Sequence, residues 1–264
     1  FLKAQTEFKD YDFEGSGINI LLDTLAYNTH YLGFNMNMLA NEMFLDSSAL
    51  RSSVVSHAKT LGYEVSSPRA PIAVVNVSLA TTASTKTMSA GTAFTSVIDG
   101  TSYQFVTTSD VTASNTGSAV PFDSVNVYEG SYVTSRYTTD TSDVDQRFLL
   151  SDARSDTTTL KVKVQNSASD STTTTYTKAT DITQLSASST VYFIQETDSG
   201  LFEIYFGDGK VSTALSDGNI VILQYVVTNK TASNGATAFG SPSSIDGVTG
   251  VTTTTVTSAV GGSE

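Results

Sequence analysis

Two histidines, His30 and His57, bound the acid–base and nucleophilic chemistry open to this 264-residue chain. A Ser–His relay needs one of them beside a hydroxyl and a carboxylate, and no G-x-S-x-G elbow is present to hold a serine in reach. Both lie in helical stretches, and His57 falls in an apolar stripe, where a packed imidazole is the simpler reading. Phosphate cradles of the G-x-x-x-x-G-K-[ST] and G-x-G-x-x-G kinds are missing, and Gly207-Asp208-Gly209-Lys210 is too short to stand for one. A carboxylate pair for glycoside hydrolysis could be drawn from 26 acidic residues, but no spacing singles one out. Asp140, Asp143 and Asp145 offer hard oxygen ligands among Ser and Thr, yet the glycine and distal glutamate of an EF-hand loop are lacking, which favours a solvated acidic loop. With no cysteine, thiolate metal sites and disulfides are excluded. The residues predict no catalytic group, no metal and no cofactor: the chain is not expected to be an enzyme.

Composition narrows the partners. A net charge of −12 argues against nucleic acid, which requires basic surface. The triplets Asn76-Val77-Ser78 and Asn229-Lys230-Thr231 matter only in a secretory compartment, and neither a leader nor cysteine usage suggests one. Hydrophobic residues make up 39% of the chain, enough for a core. The abundance of Ser and Thr suits half-exposed pleated strands.

The elements that must position these residues divide in two. From Ile18 to Leu61 the pattern is helical. Ile18, Leu21, Leu25, Asn28, Leu32, Asn35 and Leu39 follow alternating steps of three and four. A second row with the same steps runs through Ile20, Thr24, Tyr27, Tyr31, Phe34, Met38, Asn41 and Leu45. The rows are offset by two residues, or about 200° at 3.6 residues per turn, so they lie on opposite faces. Such a helix must be covered on both sides, as at the centre of a multi-chain bundle or buried within one domain. Asn28 and Asn35 are placed where buried amides set register and partner number. The uncharged window from Thr24 to Asn41 raises the question of a membrane span, but its amides are expensive in hydrocarbon, and no membrane partner is expected. Asp46 is the expected N-cap of a second helix with the stripe Leu50, Val54, His57 and Leu61, closed by Gly62. Pro68 and Pro71 then bar any helix.

Beyond them the period is two: Val75, Val77 and Leu79 alternate with polar or small residues, as do Leu160, Val162 and Val164. Asp-Gly pairs at 99–100, 208–209, 217–218 and 246–247 mark turns. The fold class is α+β, an N-terminal, bundle-forming helix pair followed by mainly antiparallel β-rich domains. Residues 1–66 are the helical core-bundle segment and 67–124 the first half of a β domain. Residues 125–200 read as an inserted β subdomain between Ala93- and Phe206-containing halves, and 201–264 as the second half. Two roles compete: a structural building block joined to partner chains through its helices, or a β-rich adhesin or carbohydrate-binding tail module on a helical stalk. Tyr and Phe fall mostly inside strand-like runs instead of loops, which favours the first.

Several segments resemble a known family when taken in order. They are Phe8-Lys9-Asp10-Tyr11-Asp12-Phe13-Glu14-Gly15-Ser16-Gly17, Asn41 to Leu45, Ser89 to Phe94, Tyr103-Gln104-Phe105, Val127 to Gly130, Gln146-Arg147-Phe148, Val191 to Glu196, and Phe202 to Gly209. Together with the closing Gly261-Gly262-Ser263-Glu264, they resemble the baseplate wedge proteins of T-even-type contractile-tailed phages, members of the baseplate-J-like family. The turn Phe206-Gly207-Asp208-Gly209 is the family's recurrent mark. The resemblance implies a virion structural protein of the tail baseplate, assembled in the host bacterial cytoplasm. It implies a heterotrimeric bundle of a second copy of the chain with a different wedge protein, and contacts to neighbouring wedges, sheath-initiating and hub proteins. It also implies a β body that links the bundle to an inter-wedge ring and passes on the change that triggers sheath contraction. Family members continue past Gly-Gly-x-Glu, so the resemblance further implies a missing C-terminal, ring-forming part.

Overall fold

The computed structural model describes residues 17–63 and 65–264. The chain forms two compact units, residues 1–65 and 66–264. Most of the Phe8–Gly17 motif lies outside the described residues.

In the first unit, α1 (Gly17–Glu42) is a continuous helix of 26 residues. Its two mid-helix threonines return their hydroxyls to the backbone: Thr24 donates to the Ile20 carbonyl and Thr29 to the Leu25 carbonyl, each at 2.8 Å. A turn leads to α2 (Arg51–Thr60), which is preceded by Leu50 without a side-chain cap of its own. The expected Asp46 cap is therefore corrected. Glu42, at the end of α1, reaches over the turn and accepts the amide N–H of Ala49 at 3.0 Å and of Leu50 at 3.2 Å. Sequence spacing points to the residue just before a helix, whereas the turn lets a carboxylate eight residues upstream take that role. Gly62 ends α2 as expected: at φ +80 it donates to Lys59, and Tyr63 donates to Ala58, both at 2.9 Å. The expected inward stripe differs, because Val55 is the buried apolar residue of α2 while Leu50, Val54 and Leu61 are exposed. No helix among the described residues is long and apolar enough to cross a membrane.

In the second unit the described residues form fourteen strands. These are β1 (Ile72–Ala80), β2 (Thr85–Met88), β3 (Ala93–Ile98), β4 (Thr101–Val106), β5 (Val111–Ser114), β6 (Ala119–Glu129) and β7 (Ser131–Thr138), then β8 (Phe148–Leu149), β9 (Ser155–Gln165), β10 (Thr173–Lys178), β11 (Val191–Glu196), β12 (Phe202–Phe206), β13 (Ile220–Val227) and β14 (Val251–Val260). A five-stranded sheet has the order β14-β1-β6-β4-β3, a seven-stranded sheet the order β7-β13-β9-β10-β11-β12-β8, and β2 pairs with β5. Pairing is antiparallel except between β10 and β11.

Period-two burial organises both cores. Ala73, Val75, Val77 and Leu79 of β1 turn inward with Phe94, Phe105 and Phe122. Phe239 packs edge-on against Phe105 at 4.9 Å between ring centres. The second core gathers Phe148, Leu150, Val162, Ile204, Leu223 and Tyr225. Asp99-Gly100, with φ of 49 and 82, makes the tight turn joining β3 to β4. Both edges of the five-stranded sheet are met by one segment: Ala236 accepts the Ala259 N–H at 2.9 Å, and Gly240 donates to the Thr95 carbonyl at 2.7 Å. This occupies edge groups that would otherwise be open to other strands.

The strands of the seven-stranded sheet lie in sequence between β6 and β14 of the five-stranded one, and the expected boundaries do not coincide with its ends. The boundary at 124/125 falls inside β6, both parts of which pair with β1. The boundary at 200/201 would part β11 from β12, which pair from Tyr192–Phe206 to Glu196–Phe202. The inserted sheet spans residues 131–227, so Phe206 belongs to it and not to the Ala93 sheet. Asp123 and Ser124 are both exposed, and Ser124 takes φ 54 beside a register shift, so a bulge within one strand imitates a turn in the sequence.

Candidate interaction surface

α1 contains no buried residue. Leu25 of the first row is 61% exposed and Phe34 of the second row 62%, so both faces are open. Ile18, Leu21, Leu32 and Leu39 share the first face with exposed Asn28 and Asn35. Tyr27, Tyr31 and Met38 continue the second. One α-helix thus presents two open apolar rows, which bury nothing within their own helix. Met36, Met43 and Phe44 extend the apolar exposure and belong to neither expected row as read from heptad spacing; their apolar type alone was the available signal.

Tyr27 donates its hydroxyl to that of Tyr31 at 2.9 Å, with ring centres 4.6 Å apart. This hydrogen bond, with slight burial, raises the Tyr27 phenol above its ordinary value and keeps it a donor. His30 lies edge-on to Tyr31 at 6.3 Å, and His57 Nε2 is 2.9 Å from the Glu42 carbonyl.

The Phe206-Gly207-Asp208-Gly209 turn is built from internal bonds. Phe206 packs against Tyr176 at 5.2 Å and Phe148 at 5.7 Å between ring centres. Gly207 is required sterically: a Cβ there would lie 1.9 Å from Ser212 Oγ. The Asp208 carboxylate accepts the Lys210 N–H at 3.0 Å, and this bond holds its pKa below the ordinary value, aided by the Lys210 charge. Gly209, at φ +82, donates to the Ser212 carbonyl at 2.9 Å. The acidic loop likewise turns on itself, with Asp140 accepting from the Ser142 amide and hydroxyl and Asp143 from the Asp145 amide. Of the two glycosylation-like asparagines, Asn76 accepts the Ser124 N–H at 2.7 Å, and Asn229 donates to Glu129 at 2.7 Å.

The described residues thus combine a helix with two open apolar faces and large, mainly antiparallel sheets with closed cores. Residues 1–63 match the family described as baseplate wedge protein gp6-like, helical domain, and residues 135–237 match bacteriophage baseplate wedge protein gp6, third domain. The second match falls on the inserted sheet. The chain is 30% identical over 271 residues to the baseplate wedge protein gp6 of Enterobacteria phage T4, covering 94% of this chain and 40% of that protein. Both matched segments are thus domains of baseplate wedge proteins, and the similarity to the T4 protein runs along nearly the whole of this chain. It spans about 40% of the length of the curated relative it matches.

Proposed function

We propose that α1 is the assembly element of the chain and enters a heterotrimeric bundle with a second copy and a different wedge protein. The observation that carries this reading is the exposure of Leu25 and Phe34 on opposite faces of one helix. Burying a leucine-sized side chain contributes about 1.5–3 kcal/mol, so a row on each face supplies a strong drive for association. Asn28 and Asn35 set the register, since an unmatched amide in such an interface loses its hydrogen bonds. The β body is a stiff spacer that links this bundle to an inter-wedge ring around the hub. It passes rigid-body motion between them when the sheath is triggered to contract, a discrete change of packing instead of continuous bending.

Leu25→Asp and Leu32→Asp are the direct tests. Each is expected to abolish stoichiometric co-purification with the other wedge proteins while leaving the β sheets folded by circular dichroism. Retention of the complex by both variants would overturn the bundle reading.

A further inference from the structure

The two sheets meet where the chain crosses between them, and the crossing is built around two buried carboxylates that face in opposite directions. Glu129, the last residue of β6 in the five-stranded sheet, is fully buried and has no cationic hydrogen-bond partner among its contacts. It accepts the Thr228 hydroxyl at 2.7 Å, the Asn229 N–H at 2.8 Å and the Asn229 side-chain amide at 2.7 Å, all just past β13 of the seven-stranded sheet. Asp156, near the start of β9 in the seven-stranded sheet, is also buried and accepts the Ala70 N–H at 2.9 Å, just ahead of β1. The second Asp156 oxygen accepts the Thr158 N–H at 2.9 Å and hydroxyl at 2.6 Å from its own strand, so Glu129 is held wholly, and Asp156 in part, by donors from the other sheet's side.

The surroundings close the same joint. Ser67 accepts the Thr157 N–H at 2.9 Å across it, while Gly130, donating to the Gln104 carbonyl at 2.8 Å, and Glu129, donating its N–H to Pro71 at 2.9 Å, hold the end of β6 to its own sheet. Ala70, Val106 and Val226 form a small apolar cluster between the sheets, with Tyr128 and Tyr132 against it. Gly130 sits at φ +124, and a Cβ there would lie 2.1 Å from the Val227 carbonyl oxygen, so the strands approach too closely for any other residue. Hinge motion at this point would strip Glu129 of its Thr228 and Asn229 donors and Asp156 of the Ala70 N–H, and a buried carboxylate deprived of donors costs several kcal/mol.

We infer that these reciprocal carboxylates lock the two sheets at a fixed angle, so that the β body moves as one rigid lever with Glu129 as its principal positioning residue. The inference deepens the stiff-spacer reading and rests on it for its purpose. The geometry itself is tested without partner proteins, so either can fail alone.

The chain has no cysteine, so Val97→Cys in β3 and Thr175→Cys in β10 give two specific spin labels, one on each sheet. In the full chain, double electron–electron resonance is expected to show one narrow distance distribution, broadened at least twofold by Glu129→Ala and less by Thr228→Val, which removes one donor. Leu223→Ala weakens the second core without touching the joint and should leave the width unchanged. A broad distribution in the parent would overturn the inference. So would an unchanged width in Glu129→Ala, or equal broadening by Leu223→Ala. Should Glu129→Ala not fold, Thr228→Val decides by the same criterion.

Discussion

Glu42 shows how one side chain can organise a turn. Its pKa lies below the ordinary carboxylate value, first because of the Ser53 hydroxyl, then because of the Ala49 amide. A lowered folded-state pKa means that the contribution is complete above the unfolded value, about 4.3, and is lost as pH falls through the folded one. Acid titration followed by Cα chemical shifts of residues 51–60 should show α2 fraying in that low range, and Glu42→Gln should remove most of the dependence. A different argument applies at Gly207. Gly207→Ala must displace Ser212 Oγ, and overpacking of this kind costs about 1–3 kcal/mol in denaturant unfolding. Ser212 Oγ is buried without a hydrogen-bond partner, so Ser212→Ala should be neutral or stabilising by up to about 1 kcal/mol. Combined with Gly207→Ala, it should recover part of the loss.

At the scale of the element, α1 and β6 make opposite uses of pattern. In α1 the repeat of three and four leaves rows that nothing within the helix buries, and in the proposed bundle the asparagines in one row exchange stability for register. Asn28→Leu with Asn35→Leu is expected to tighten association and blur its stoichiometry, seen as mixed masses in native mass spectrometry where the parent shows one. In β6 the exposed Asp123-Ser124 pair interrupts alternation without ending the strand. A bulge accommodates it, and Asn76 satisfies the Ser124 amide.

For the whole molecule, the distribution of cores matters most. The five- and seven-stranded sheets have separate apolar cores, and the buried joint couples them. Phe105→Ala, in the first core only, should cost about 3–5 kcal/mol. Calorimetry should show a single β-body transition at lower temperature instead of two, because unfolding of either sheet takes donors from the carboxylate buried in the other. A split transition would mean that the sheets are energetically independent.

The sequence alone determined the helix with two apolar faces, the stop of α2 at Gly62, the inward set of β1 and the tight turn at Asp99-Gly100. Each is a local matter of periodicity or of backbone conformation that few residues tolerate. Tertiary structure alone decided that Glu42 and not Asp46 caps α2, that the inserted sheet runs from 131 to 227, and that Glu129 and Asp156 are buried at the joint. Glu129 is bonded to residues 99 and 100 positions away, and Asp156 to one 86 positions away. Nothing in the spacing of an acidic residue along the chain tells a solvated carboxylate from one whose donors arrive from a distant strand.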